Sequence, residues 1–215
     1  MAKKIGILGS GMVGQALAKG FLKSGYDVKI GSRDAGKLSD FLKETGNKAS
    51  AGSFPDAAAF GETIVLCCKG TVVDEVIRMA GKTNFEGKVV IDVTNPLLFE
   101  EEGKPPTLTT GFPESLGQKI QQLLPNAKVV KAFNIVSNAY MCNPKLQEGV
   151  PDMFIAGNDA NAKRTVTEIA SKWGWPVHDI GGIEQAALLE ALAMIWIRYA
   201  FMNNHWTHAF KLLKK

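Results

Sequence analysis

The segment that most constrains the fold is a glycine pattern near the N-terminus, Gly9-Ser10-Gly11-Met12-Val13-Gly14. The spacing G-x-G-x-x-G is a weak signal alone, because three glycines fall at these intervals by chance. Here it follows a strand-like apolar run over residues 5–8, opens a helical run over residues 12–24, and precedes a second strand-like run over residues 26–30. This context predicts a βαβ unit whose turn binds the phosphates of a dinucleotide, with a glycine-rich turn that holds no ligand as the alternative.

Each glycine has its own physical task in such a turn. Gly9 is expected to make the tight turn, Gly11 to let the backbone approach the pyrophosphate, and Gly14 to let the helix pack on the strand. The helix N-terminus then offers free N–H groups and a partial positive charge. We therefore expect phosphate contacts from Gly9, Ser10, Gly11, Met12, Val13 and Gly14.

The end of the second predicted strand indicates which dinucleotide binds. NAD-binding units usually carry an Asp or Glu about 20 residues after the glycines, where it binds the ribose hydroxyls. Here Ser32 stands at that position, with Arg33 next to it and Lys37 one turn further on. A hydroxyl, a guanidinium and an ammonium bind a 2′-phosphate that a carboxylate would repel. We therefore expect the chain to bind NADP(H). Asp34, which would repel the phosphate, is expected to cap the N-terminus of the second helix instead. The alternative is that Arg33 and Lys37 are ordinary solvated charges.

Short β-branched runs alternate with helical runs along the chain, which is typical of a parallel sheet covered by helices. The further predicted strands are residues 63–68, 88–92, 128–132, 153–156 and 176–179. The further predicted helices are residues 37–45, 72–80, 114–124, 160–172 and 184–202. We expect a doubly wound α/β Rossmann fold with a mainly parallel sheet. It would comprise an NADP-binding domain over residues 1–135 and a small C-terminal α/β extension over residues 136–215 packed on it.

Two segments depart from this pattern. Residues 94–111 form a connection of about 18 residues, longer than usual, so we expect it to be functional or mobile. The final helix is apolar on most faces, so it must be buried in its own core or against a second subunit, and a homodimer is predicted. Glu190 and Arg198 interrupt that helix, which is too short and too charged to span a bilayer comfortably.

Charge and cysteine content indicate which partners and which cellular compartment to expect. The net charge is +4 and the basic residues are scattered, which argues against nucleic acid as a partner. Cys67, Cys68 and Cys142 are expected to be buried thiols in a reducing compartment, because a chain of this size needs no disulfides. The segment MAKKIGILG lacks the apolar run of a signal peptide, so a cytoplasmic protein is expected.

The sequence also resembles a known family in the segments GILGSGMVGQALAKGFLKSGYDVKIGSR, VVKAFN, AGNDANAKRTV and DIGGIEQAALLEALA. These resemble the NADPH-dependent F420 reductases, also called coenzyme F420-dependent NADP oxidoreductases, which share their fold with the reductase domain of the STEAP metalloreductases. The resemblance covers almost the whole chain, and its most specific part is the glycine turn with Ser32, Arg33 and Lys37. It implies an electron acceptor of the deazaflavin or flavin type, stacked on the nicotinamide.

The resemblance further implies cofactor contacts at the ends of three more strands. Such contacts agree with the independent rule that ligands bind beyond the carboxyl ends of parallel strands. The residues implied at the ribose groups are Cys68, Lys69 and Gly70, and those implied at the nicotinamide are Asn95, Pro96, Ala132, Phe133 and Asn134.

Hydride transfer between stacked rings requires binding and orientation rather than an acid or a base, so we nominate no catalytic residue. Lys69 is expected to be solvated or to pair with a phosphate, with direct catalysis as the alternative. His178, His205 and His208 are expected to be solvated or hydrogen-bonded, with a proton relay as the alternative. No metal is expected, since no third ligand accompanies the last two histidines. The alternatives are a reductase of a small imine or carbonyl substrate, and a non-catalytic sensor of NADP(H).

Overall fold

The computed structural model of the protein describes residues 3–214. Its strands are β1 Lys4–Leu8, β2 Asp27–Gly31, β3 Ala49–Gly52, β4 Thr63–Leu66, β5 Val89–Asp92, β6 Leu97–Leu98, β7 Thr107–Leu108, β8 Lys128–Lys131, β9 Met153–Gly157 and β10 Val177–Asp179. Its α-helices are α1 Met12–Lys23, α2 Ser39–Glu44, α3 Phe54–Phe60, α4 Val73–Ala80, α5 Leu116–Leu123, α6 Ala160–Lys172 and α7 Ala186–Asn203.

Eight strands form one sheet in the order β10-β9-β8-β5-β4-β1-β2-β3. From β3 to β8 every pairing is parallel, whereas β9 runs antiparallel to β8. The six parallel strands follow the strand order of a dinucleotide-binding Rossmann fold. The predicted fold class is therefore confirmed, and the carboxyl ends of β1, β2, β4, β5 and β8 lie along one edge of the sheet.

Helices cover both faces of the sheet, each over its own apolar core. On one face, α1, α2 and α6 contribute buried side chains such as Phe21, Phe41 and Val166. On the other face, α3, α4 and α5 contribute residues such as Ile77 and Ile120. Strands buried on both faces are continuously apolar, which is why β4 and β5 stand out in the sequence.

Residues 49–60 form β3 and α3, which the sequence pattern did not predict. β3 is an edge strand of small residues, and α3 is a short helix that begins with a capping box between Ser53 and Asp56. The helix packs so closely on the sheet that a Cβ at Gly6 would lie 2.1 Å from the Ala57 carbonyl oxygen. This contact is made by alanine and glycine. The prediction of helices and strands depends on the spacing of large apolar residues, so the pattern gave no signal here.

The C-terminal residues continue the same sheet. β9 pairs with β8 and β10 pairs with β9, so residues after 136 add two strands to the sheet edge. The segment of residues 94–111, expected to be a loop, contains the short antiparallel pair β6 and β7.

The final helix α7 packs against α5 and β9. We expected this helix to be too short and too charged to span a bilayer, but residues Ile183–Asn203 are long and apolar enough to do so by length and composition alone. An 18-residue window of this stretch has mean hydropathy 1.2, and 44% of that window is buried inside the protein. The side chain of Glu190 lies in the interior at 2% exposure, bonded to backbone N–H groups at the start of α5. These contacts are those of a core helix with one exposed face.

Candidate functional site

The glycine turn between β1 and α1 leaves an open approach to backbone N–H groups. Gly9 has φ +136°, and a Cβ at Gly14 would lie 2.0 Å from the Gly9 carbonyl oxygen, so both positions require glycine. A Cβ at Gly11 would meet nothing within 4 Å. Among residues 3–214 no side chain caps the N-terminus of α1, so its N–H groups remain available to an anion.

Hydrogen bonds hold this turn against the end of β2. The Ser10 and Ser32 hydroxyl oxygens lie 3.0 Å apart, and Gln15 Nε2 donates to the Ser10 carbonyl oxygen at 3.0 Å. Ser32 is buried, and its hydroxyl also donates to the Asp34 carbonyl oxygen. The predicted pyrophosphate turn and the predicted 2′-phosphate site are therefore one connected unit.

The basic side chains at the end of β2 are free to bind an anion. Arg33 and Lys37 are both exposed, and neither forms an ion pair or side-chain hydrogen bond within residues 3–214. Asp34 is occupied: it accepts from Gly36 N at 3.0 Å and caps the 3₁₀ turn Ala35–Leu38 that leads into α2. The expected N-cap is confirmed, although it lies at the start of this 3₁₀ turn rather than at the start of α2.

The end of β4 supplies two protonated thiols and a close backbone approach. Burial raises the pKa of Cys67 far above its ordinary value, and burial together with nearby Asp92 raises the pKa of Cys68 to about 12. Neither sulfur is therefore a nucleophile at neutral pH. Lys69 is exposed, and a Cβ at Gly70 would lie 2.2 Å from the Asn95 carbonyl oxygen, so this turn lies directly against the end of β5.

Asn95 and Asn134, which we call the amide pair, join the ends of β5 and β8. Asn134 Nδ2 donates to Asn95 Oδ1 at 2.9 Å, and Asn95 Nδ2 donates to the Asn134 carbonyl oxygen at 2.8 Å. Asn134 is 6% exposed, and its Oδ1 atom is a buried acceptor that lacks a partner within the described residues. An unpaired acceptor in the interior costs free energy, so this end of the sheet has an unused capacity to accept a hydrogen bond.

Two of the residues expected at the nicotinamide do not present side chains there. Ala132 and Phe133 lie in the core, and the Phe133 ring packs against Trp173 with centroids 5.4 Å apart. Phe133 has φ +61°, an unusual conformation for a bulky residue. Only its backbone remains to face a ligand, so any contact from Phe133 at the nicotinamide would come from its backbone.

A buried charged cluster, which the sequence analysis missed, lies beneath the amide pair. Asp92, Lys131 and Glu190 form this buried triad, with exposures of 0%, 0% and 2%. Lys131 Nζ donates to Asp92 Oδ2 at 2.9 Å and to Glu190 Oε1 at 2.8 Å. Each residue is an isolated charge in an apolar run, and a charge at the end of a fully buried strand is the signal that could have revealed the cluster.

The triad is fully hydrogen-bonded. The third donation from Lys131 goes to the Thr94 carbonyl oxygen at 2.6 Å, while Asp92 Oδ1 accepts from Thr94 N and Oγ1. Burial alone would lower the pKa of Lys131, but the Asp92 and Glu190 carboxylates outweigh burial, so the net pKa is raised. Lys131 is therefore a cation at physiological pH.

Exposed apolar side chains, which we call the apolar wall, lie on the segment that follows Asn95 and Pro96. The β6–β7 hairpin and the turn that follows it expose Leu98 at 41%, Phe99 at 62% and Phe112 at 75%. The tip of the hairpin carries Glu100, Glu101 and Glu102, all exposed, of which Glu101 pairs with Lys104. The wall begins at Leu98, two residues after Pro96.

The histidines lie elsewhere. His178 Nε2 is 3.4 Å from Asp152, and His208 Nε2 lies 3.0 Å from the Trp196 carbonyl oxygen. Within residues 3–214 no three His, Cys, Asp or Glu side chains are grouped to hold a metal. A depression of about 580 Å³ lies at the opposite end of β8, lined by polar residues such as Gln121 and Lys128, and includes none of the predicted site residues.

Comparison with known proteins gives the family. The family model for coenzyme F420-dependent NADP oxidoreductases matches residues 4–96. The F420-dependent NADP reductase of Methanocaldococcus jannaschii is 30% identical over 206 residues, which cover 90% of this chain and 91% of that protein. A crystal structure of a protein from Arthrobacter sp. FB24, assigned as an F420-dependent NADP reductase, has 33% identity and a TM-score of 0.93, with 100% of both chains covered.

A second group of relatives is longer. Metalloreductase STEAP3 of Rattus norvegicus is 29% identical over 202 residues, which cover 90% of this chain but 37% of that protein. The chain thus spans little more than a third of the metalloreductases that it matches. The chain belongs to the F420-dependent NADP reductase family, and it is an NADP-dependent oxidoreductase.

Proposed function

We propose that the protein transfers a hydride between NADPH and a flavin or deazaflavin acceptor. The observation that carries this proposal is the arrangement along one sheet edge: an open glycine turn, two cations without an ion pair among the described residues, and the amide pair, with the apolar wall on the segment that follows it. When bound, the nicotinamide supplies the hydride. The chain binds and orients the two rings and keeps water from them.

Binding of the phosphates falls to the first βαβ unit. The N–H groups of α1 and the open surface at Gly11 fit a pyrophosphate, since a helix N-terminus favours an anion and a residue without Cβ admits it. Arg33 and Lys37 fit a 2′-phosphate, and the nearby carboxylate of Asp34 is engaged in its cap. The same groups would bind an unphosphorylated ribose much more weakly.

Orientation of the nicotinamide falls to the amide pair. Asn134 Oδ1 is a buried acceptor without a partner in the described part of the chain, and a carboxamide N–H is the kind of donor that would satisfy it. The fixed amide groups of Asn95 and Asn134 would distinguish the orientations of an asymmetric ring. We keep Pro96 and the Phe133 backbone as further contacts at this end, and Cys68, Lys69 and Gly70 as contacts at the ribose groups.

The acceptor would stack against the apolar wall of Leu98, Phe99 and Phe112. Aromatic side chains offer flat apolar surfaces to a planar ring system. The exposed glutamates at the hairpin tip would oppose an anionic chain attached to that ring, because like charges repel within about a Debye length. We therefore expect acceptors without phosphate to react at least as well as phosphorylated ones.

An acceptor panel tests the proposal. Oxidation of NADPH is followed with F420, FMN, riboflavin, a ferric chelate and a cyclic imine as separate acceptors. Turnover with a flavin or deazaflavin supports it. Turnover with the imine alone would favour a reductase of imines or carbonyls, and tight NADPH binding without turnover would favour a sensor; either result would refute the proposed acceptor. Changing both Glu100 and Glu102 to Gln should raise the rate with FMN relative to riboflavin.

We further propose that a second copy of the chain covers the exposed face of α7. Leu188, Ile195 and Met202 are exposed at 48%, 60% and 80%, and Arg198 is the only charge exposed along the helix. A stripe of this kind is a common dimer surface. The mass of the purified protein in solution tests this, and a monomer would rule it out.

The free thiols of Cys67, Cys68 and Cys142 accord with our proposal of a cytoplasmic location.

A further inference from the structure

The buried triad joins four segments that meet at one end of the sheet. Asp92 ends β5, Lys131 ends β8, and Glu190 belongs to α7. The Glu190 carboxylate also accepts from Leu116 N at 3.0 Å and from Gly117 N at 3.1 Å, at the start of α5. Two strands and two helices are thus tied to three side chains.

The amide pair is held by residues adjacent to the triad. Asn134 Nδ2 donates to the carbonyl oxygen of Leu189, the neighbour of Glu190. Thr94, the neighbour of Asn95, is bonded to both Asp92 and Lys131. A displacement of any triad member is therefore transmitted to Asn95 or Asn134 through one peptide unit.

Stability does not account for such a cluster. Removing ionised groups from water is costly, and replacing buried ion pairs by apolar side chains of similar volume is often neutral or stabilising. This cluster instead fixes the relative positions of the segments, because the three N–H donors of Lys131 each have a different acceptor. A fully satisfied network of this kind admits one arrangement of the segments that it joins.

We propose that Asp92, Lys131 and Glu190 are positioning residues that hold the amide pair in the geometry that binds the nicotinamide end of NADP(H). The triad has no part in binding the phosphates. This inference rests on the proposed nicotinamide position, and its test needs no electron acceptor.

The test compares two ligands on Glu190→Gln. NADPH carries the nicotinamide, and 2′-phospho-ADP-ribose has the same phosphate-bearing end without it. Because a displaced amide pair would lose its hydrogen bonds to the nicotinamide, we expect the affinity for NADPH to fall about tenfold or more. The affinity for 2′-phospho-ADP-ribose should change by less than about twofold, since additivity holds for distant sites. Calorimetric titration measures both.

Arg33→Ala is the matched control, because it should weaken both ligands. If it weakens neither, the proposed phosphate site is wrong, whatever the triad does. If Arg33→Ala behaves as expected but Glu190→Gln loses equal affinity for both ligands, or for neither, the positioning role is refuted.

A second variant keeps the test decisive if Glu190→Gln does not fold. Thr94→Val removes only the hydroxyl that donates to Asp92 Oδ1 at 2.6 Å and leaves the three charges in place. It should show the same selective loss of NADPH affinity, in smaller degree. Folded Thr94→Val protein with an unchanged ratio of the two affinities would overturn the proposal.

Discussion

At the phosphate end of the proposed site, the binding groups come from one βαβ unit and lie between Gly9 and Lys37. At the nicotinamide end, they follow β5 and β8 and are supported by α5 and α7, and the triad contacts join residues 39 and 59 positions apart in sequence. The first end presents open backbone and exposed cations, whereas the second rests on a buried, fully hydrogen-bonded triad beneath the amide pair. The comparison teaches that one dinucleotide site can combine a locally encoded half with a half that only the folded chain assembles.

The largest expected effect lies at the buried end. Lys131→Met removes the cation and leaves Asp92 and Glu190 as unpaired carboxylates in the interior. We expect the free energy of unfolding to fall by about 3–5 kcal/mol, as for other broken buried pairs. Urea denaturation followed by circular dichroism measures it.

The matched control is Lys119→Met, which removes an exposed lysine paired with Asp74 at 2.8 Å. It should cost less than about 1 kcal/mol, because exposed ion pairs contribute little. The raised pKa of Lys131 means that the triad contributes fully below the ordinary lysine pKa of 10.5 and loses its contribution as the pH rises through the higher folded-state value. A difference between wild type and Lys131→Met that fades near neutral pH would contradict this assignment.

The next effect lies at the exposed end and concerns affinity rather than stability. Arg33→Ala should weaken NADPH binding by about 1.5–3 kcal/mol, the range for hydrogen bonds to charged groups, and should leave NADH binding nearly unchanged. Fluorescence titration with both nucleotides measures it. Lys43→Ala, an exposed lysine in the next helix, is the control and should alter neither; equal losses for NADPH and NADH on Arg33→Ala would break the assignment.

The smallest effect separates two glycines within one turn. Gly14→Ala should destabilise the fold by roughly 1–3 kcal/mol, because its Cβ would press on the rigid Gly9 backbone. Gly11→Ala should leave stability nearly unchanged, since its Cβ points into open space, and should weaken NADPH binding instead. Thermal unfolding and NADPH titration of both variants give the comparison, and similar behaviour of the two would contradict the separate roles.

The sequence pattern predicted the elements with a strong local signal. The helix of residues 160–172 was placed at its observed bounds, and the strands of the parallel sheet were found within one or two residues, apart from β3. Segments that pack through small residues escaped, as β3 and α3 did, because alanine and glycine give no apolar periodicity. The hairpin β6–β7 escaped because each of its strands has two residues.

The sequence by itself determined the βαβ unit and the glycine turn and predicted the preference for a phosphorylated ribose, because the residues that carry these signals lie within one stretch of chain. Only the tertiary structure decided the other end: that Asn95 meets Asn134, that the Phe133 ring is directed into the core, and that Glu190 reaches Lys131 beneath them. The physical reason is that a buried charge is stable only beside its partners, and here those partners belong to separate strands and helices.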